Sequence, residues 1–413
     1  MKWSEAIIFA GAGLASLRAG DEWIDRLDDR LTLASGDGFY RAHLSGLAET
    51  DAYFFSQPAP GLLYADGNQL VAPQLTLFVD AQAGERWYAF LQARADDGFD
   101  PGDGGERVRL DEYAVRASLG DGGSLNVQVG KFATVFGNWV PRHYAWDNPF
   151  VTAPLPYENL TGIFDVVAAW SADSIFRWGD VRPSFGGSYA FHEYRVPVIW
   201  GPSYASGASV SGVVGRFEYA AEIKNASLSS RPETWDVSHT QWQNPTYTAR
   251  IAIRPDEAWS LGISASEGTY LLSSAASSVR PGYSLGDYRE TVIGQDISYA
   301  WHHFQFWAEL METRFAIPTV GDADTIAYYL EAKYKFSPEW SGAVRWNQQF
   351  FGDLSDGVGN SQKWGRDVWR IDVAPTLRLT PHLQLKVQYS LLHNGSDEHR
   401  LSNEFDLQAL LRF

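Results

Sequence analysis

The side chains best placed for chemistry lie between Phe136 and Glu158, where Arg142, His143, Trp146, Asp147, Asn148 and Tyr157 share a stretch broken by Pro149, Pro154 and Pro156. Arg142 offers a planar fork of N–H donors that fits the carboxylate or phosphate of a solute. It fits a carboxylate of a surrounding wall equally well, and the sequence leaves both partners open. Trp139, Tyr144, Trp146 and Tyr157 supply flat faces that either stack on sugars or pack the segment in place. The prolines deny the backbone a regular helix or strand, so the segment is an irregular loop. Covalent catalysis finds no support. The chain has no Cys, and its nine His form no Ser/His or metal-ligand spacing, so no thiolate, disulfide, metal or other cofactor is expected. Asp96, Asp97, Asp100 and Asp103 gather in a Gly-rich stretch, but their spacing is not that of an EF-hand, and solvated loop charge is the expectation.

An irregular, side-chain-rich loop needs a rigid frame, and the rest of the chain supplies one. From Phe39 onward, segments alternate apolar and polar residues, as in Phe405, Leu407, Ala409, Leu411 and Phe413 against Glu404, Asp406, Gln408 and Arg412. Leu383 to Leu391 and Tyr247 to Ile253 repeat the pattern. Such alternation puts one face in lipid and the other in water. Short links at Gly84-Glu85, Gly120 to Gly123, Gly215, Pro255-Asp256, His302, Ser337-Pro338 and Thr380-Pro381 alternate with longer polar or Gly/Pro-rich segments, among them Val196 to Gly207, Phe315 to Asp322 and Phe351 to Arg366. The expected fold is all-β: a transmembrane antiparallel β-barrel of about 18 strands, with about 16 as the alternative, both even because both termini face the periplasm. Parity calls for one hidden strand, placed at Leu160 to Trp170, before another that starts near Ser184. The Phe136 to Glu158 loop follows the fifth strand and is expected inside the barrel as a constriction, because irregular backbone is tolerated at membrane depth only where it lines water.

Alternation also assigns the lumen charges. Arg94, Arg109, Arg250, Arg254, Arg345, Arg370, Arg378 and Lys386 should point inward, together with Glu218, Glu222, Glu309, Glu331, Asp372 and Asp406. Opposed rows would set up a transverse field for polar solutes. Pairing between neighbouring strands would instead keep the wall wet.

Composition agrees with a membrane barrel. Aromatic residues make up 15% of the chain, and Tyr and Trp concentrate where apolar surface meets water. A net charge of -17 argues against nucleic acid. Beyond the first residues no apolar run of about 20 residues exists to form a transmembrane helix. Residues 1–19 have the order of a secretory signal. Residues 20–38 form a short periplasmic segment with Trp23, Ile24, Leu27 and Leu31 at helical spacing, and 39–413 form the barrel. A soluble sandwich would need neither aromatic belts nor strictly alternating loop lengths. A barrel enzyme would need a nucleophile and base that are not found here. A non-conducting barrel that sheaths a partner stays open as the alternative.

The run Gly130-Lys131-Phe132 leading to Phe136-Gly137, with the terminal Phe413, resembles the Gram-negative outer-membrane porin superfamily, and within it the phosphate-selective porins and related β-barrel porins. The resemblance implies a bacterial outer-membrane channel for passive diffusion of small hydrophilic solutes. It also implies contact with outer-membrane lipid, assembly as a homotrimer, and recognition of Phe413 by the barrel-assembly machinery.

Overall fold

The computed structural model describes residues 31–57, 61–63, 65, 67–96, 107–180, 194–238, 242–356, 359, 361–394 and 401–413, together with Ile24, Arg26 and Arg30. The expected signal, Trp23 and Leu27 of the periplasmic segment, the acidic run from Asp97 to Asp103 and Ser184 lie outside these residues.

Among the described residues, 17 strands join in one sheet, of which 16 close a barrel. They are β1 (Tyr40–Phe55), β2 (Gln69–Ala83), β3 (Trp87–Asp96), β4 (Arg107–Ser118), β5 (Asn126–Lys131), β6 (Ser206–Val214), β7 (Phe217–Lys224) and β8 (Thr246–Ile253). The circuit continues with β9 (Trp259–Thr269), β10 (Arg289–Trp301), β11 (Phe304–Ile317), β12 (Gly321–Lys335), β13 (Trp340–Phe351), β14 (Val368–Arg378), β15 (Leu383–His393) and β16 (Leu401–Arg412). Each strand pairs antiparallel with its sequence neighbour, and β16 closes on β1 from Glu404↔Phe55 to Arg412↔Leu47. Thr32–Ala34 adds a short strand beside Arg41, Ala42 and His43. Closure removes every free edge, the condition for backbone at membrane depth.

Alternation sorts the faces as expected. Val71, Ile251, Ile263, Val344 and Leu407 are exposed on the outside, whereas Gln388, Glu331, Arg345 and Asp372 are buried on the inside. Aromatic belts mark both rims: Trp87, Phe217, Trp259, Trp301, Tyr334 and Trp340 at the end with short turns, and Phe54, Tyr247, Phe350, Tyr389 and Phe405 at the other. The terminal residue exchanges backbone hydrogen bonds with Gly46 at 2.8 and 3.0 Å. Its ring occupies the place of the missing side chain, since a Cβ on Gly46 would lie 2.2 Å from Phe413 Cζ.

The count settles at the lower expected value: β5 pairs directly with β6 from Asn126↔Ser211 to Lys131↔Ser206, and Leu160 to Trp170 is not a barrel strand. Its alternation is real but has no solvent face. Ile163, Phe164, Ala168 and Ala169 are buried, and so is the intervening Asp165, which Arg231 grips through two hydrogen bonds of 2.6 Å. Thr161 and Ile163 pair instead with Val196 through backbone bonds of 2.9 and 3.1 Å. Residues 132–180 and 194–205 therefore belong to the connection between β5 and β6, off the barrel wall. Val196 to Gly207, expected as a separate loop, is its returning limb. Phe315 to Asp322 differs the other way: β11 and β12 extend nearly to their tips and leave only a tight turn around Thr319, which has a positive φ of 67°.

Candidate functional site: the loop inside the barrel

Just before the loop leaves the wall, Gly130 has a φ of +147°, and a Cβ there would stand 2.1 Å from the Tyr113 carbonyl oxygen. Only glycine fits there. Glu112 on β4 then accepts the Ala133 N–H at 2.8 Å and the Tyr144 hydroxyl at 2.8 Å. Glu222 on β7 accepts from the Thr134 hydroxyl at 2.6 Å. Phe136 inserts against the wall at Gly294, where a Cβ would come within 2.5 Å of its ring. Gly137, with φ +70°, turns the chain so that two successive amides, Asn138 and Trp139, both donate to Glu309 on β11. Tyr157 closes the same carboxylate with its hydroxyl at 2.6 Å. The Phe-Gly pair is thus a plug and a turn, and Glu309 fastens two points of the loop far apart in sequence.

The outer limb is held by β12 to β15. Arg142 forms an ion pair with Glu331, donates to the Tyr329 hydroxyl at 3.1 Å and lies 4.4 Å from the Trp307 ring centre. Arg345 donates to Asp372 at 2.8 Å and to the Thr152 and Ala153 carbonyls at 3.0 and 3.1 Å. Arg370 pairs with Glu158 and with Asp372. Asn347 and Gln388 accept the Leu155 and Val151 N–H groups at 3.2 and 2.7 Å. Lys386 caps the Asn148 carbonyl at 2.6 Å and also that of Ala145.

Each expected residue can now be placed. Arg142 meets the wall carboxylate rather than presenting an open fork. Its guanidinium is locked in the charged state, because Glu331 and Tyr329 outweigh the cost of burial. His143 bridges the Val140 carbonyl and the Tyr204 hydroxyl, and desolvation holds its pKa down to about 3, so the imidazole is neutral. Asn148 and Tyr157 are buried. Only Asp147 is exposed, beside Trp146, which is packed under Arg378 and Arg412.

Several of the lumen charges pair locally with near neighbours on the wall. Arg94 and Arg109 meet Asp111 at 3.5 and 2.6 Å within the β3–β4 wall. Arg250 on β8 reaches Asp296 on β10 at 2.6 Å. That bridge crosses β9 at Gly262, where a Cβ would lie 2.3 Å from the carboxylate. Arg254 is past the end of β8 and largely exposed, bonded to Glu218 at 2.7 Å on the rim. Glu112, Tyr329, Asn347 and Gln388 were not singled out from the sequence. The available signal was an amide or hydroxyl at an inward position, a side chain suited to backbone groups of a second element.

Above this layer the loop builds an apolar roof. Ile163, Val196 and the helix Ala172–Asp180 pack with Tyr270, Leu271, Tyr288, Phe315, Phe351 and Trp364 from neighbouring strands and loops.

No family model matches the sequence, and no curated protein matches it. Solved structures do. OmpT of Vibrio cholerae aligns with TM-score 0.55 over 92% of this chain and 99% of its own at 9% identity. The fold is that of an outer-membrane porin. The outer-membrane channel DcaP of Acinetobacter baumannii gives 0.55 at 11% identity over 92% and 99%. Salmonella typhi OmpF, in a complex with daunomycin, gives 0.54 at 11% over 92% and 100%. These likenesses extend to the porin barrel plan, and none of the three is described as phosphate-selective.

Proposed function

We propose that this chain is a porin of the bacterial outer membrane that passes small hydrophilic solutes by passive diffusion through a lumen narrowed by the 132–205 loop, without cofactor or energy coupling. The observation that carries the proposal is the pairing of a closed 16-strand barrel with a loop fixed inside it by wall side chains. A barrel of this size encloses more space than its own side chains fill, and a loop held by ion pairs and buried hydrogen bonds gives a defined rather than fluctuating opening. Arg142, His143, Asn148 and Tyr157 fix that opening, with Trp146 packed behind it, while Asp147 faces the solute. A homotrimer fits the porin plan, since OmpT of V. cholerae is also described in a trimer form. Phe413, seated on Gly46, is the residue the assembly machinery would read.

The apolar roof favours a second reading, a barrel that does not conduct by itself. Conductance of the purified full chain in a planar bilayer separates the two. Discrete channel steps support the porin, and a silent bilayer containing correctly folded, heat-modifiable protein removes it.

A further inference from the structure

The pairing of charges stops at the turn end of the lumen. On β12 to β16, inward positions beyond Glu331, Asp372 and Asp406 toward the short turns carry Lys333, Lys335, Arg378, Lys386 and Arg412 and no carboxylate. Lys386 is spent on loop carbonyls. Among the described residues, Lys333, Lys335, Arg378 and Arg412 have no ion-pair partner. Arg378 and Arg412 are instead gathered around one indole, their guanidinium carbons 5.3 and 4.6 Å from the Trp146 ring centre. They are close enough for Arg412 to bear on the charge of Arg378.

Two like charges held together at the floor of the loop are unfavourable unless something negative joins them. The loop offers one carboxylate to this wall, Asp147, within Coulombic reach of Lys333, Arg378 and Lys386. Glu331 also acts on Lys333, and Glu49 and Asp51 of β1 act on Lys386, which leaves Asp147 as the carboxylate that Arg378 meets. Beside these residues opens a cavity of about 600 Å³ lined by Gln305, Lys333, Lys335, Thr376, Arg378 and Gln384. Its rim carboxylate, Glu339, already accepts the Ser337 hydroxyl at 3.0 Å. The chain as a whole carries -17, so a cationic vestibule is a local arrangement that runs against its overall charge.

We infer that Arg378 and Arg412, braced on Trp146 and supported by Lys333, form a binding site for the oxyanion of a small solute, a carboxylate or a phosphate, at the periplasmic mouth of the lumen. Guanidinium forks suit such groups, and stacking on an indole leaves their N–H edges free. The inference rests on the porin reading for its place on a permeation path. Asp147 opposes the site, and its charge sets how strongly anions are held.

The test uses the purified full chain in two arms. In planar bilayers under a KCl gradient, the wild type should favour chloride over potassium. Arg378→Ala with Arg412→Ala should lower that ratio at least about threefold, and Asp147→Asn should raise it. Arg289→Ala, at an exposed pair with Glu267 on the opposite rim, should leave it unchanged. In equilibrium dialysis of inorganic phosphate against the detergent-solubilised protein, the double substitution should weaken binding at least about tenfold. Heat-modifiable migration checks that each variant is folded. An unchanged permeability ratio, or phosphate binding that survives the double substitution, overturns the inference and leaves the porin reading in place. Absence of any conductance removes the porin reading, and the dialysis arm then decides the site by itself.

Discussion

Glu309→Ala is the most direct test of how the loop is held. The carboxylate takes two amides, from Asn138 and Trp139, and the Tyr157 hydroxyl. Truncation leaves three buried donors without an acceptor, each costing about 1–3 kcal/mol. Even the lower figure sums to about 3 kcal/mol, a shift of roughly a hundredfold in the equilibrium between docked and detached loop. The barrel should survive, because all ladder bonds of β11 are made by backbone. Glu309→Gln keeps one acceptor oxygen and should fall between wild type and Ala. Limited proteolysis should therefore cut within 132–205 faster in the order Ala, Gln, wild type, and single-channel conductance should become larger and noisier in the same order. Equal protease resistance and equal conductance in Glu309→Ala would refute the view that wall carboxylates position this loop.

Arg142→Ala leaves Glu331 buried with only the more distant Arg345, 3.7 Å away, and should destabilise the folded barrel by about 3–5 kcal/mol; the temperature of the gel-migration shift reads this, and adding Glu331→Gln should restore part of the loss. Gly262→Ala puts a methyl between Arg250 and Asp296, which should break their bridge at a cost of about 2–4 kcal/mol, again read as an earlier gel shift. His143 stays neutral in the folded protein down to pH about 3, whereas the unfolded residue takes up a proton below pH about 6.5. Its contribution to stability is therefore fully present above that value and declines as pH falls toward 3. Urea-unfolding midpoints should drop less steeply with acidification in His143→Gln than in wild type.

The sequence made the barrel legible because alternation is a local property: each strand carries its own record of which face meets lipid, as Tyr247 to Ile253 and Phe405 to Phe413 do. The short turns were legible for the same reason, through Gly215 or Ser337-Pro338. Leu160 to Trp170 shows where the signal fails. Period-two alternation reports two unlike environments, and here the second was an ion pair, Asp165 with Arg231, buried in a loop core rather than an aqueous lumen. In Phe315 to Asp322, Pro318 and Gly321 mark a break but not its length, because strands that rise beyond the lipid meet water on their outer face and tolerate Arg314, Asp322 and Asp324 in mutual contact.

The role of the lumen charges was legible by type and not by partner. Inward parity identifies Arg345, Arg370, Glu309 and Lys386, but what each does depends on which loop atom lies opposite, and that follows from the path of residues 132–205 through space. Arg142 and Arg378 make the difference concrete. Both are arginines expected at the lumen, and both lie against a Trp ring, Trp307 and Trp146. Arg142 also has Glu331, so its charge is spent on architecture. Arg378 has Gln384 at 3.4 Å and a second guanidinium nearby, so its charge remains for whatever enters. On the porin reading proposed above, selectivity belongs to the charges left over after the loop is held, and a count of inward charges cannot reveal which ones those are.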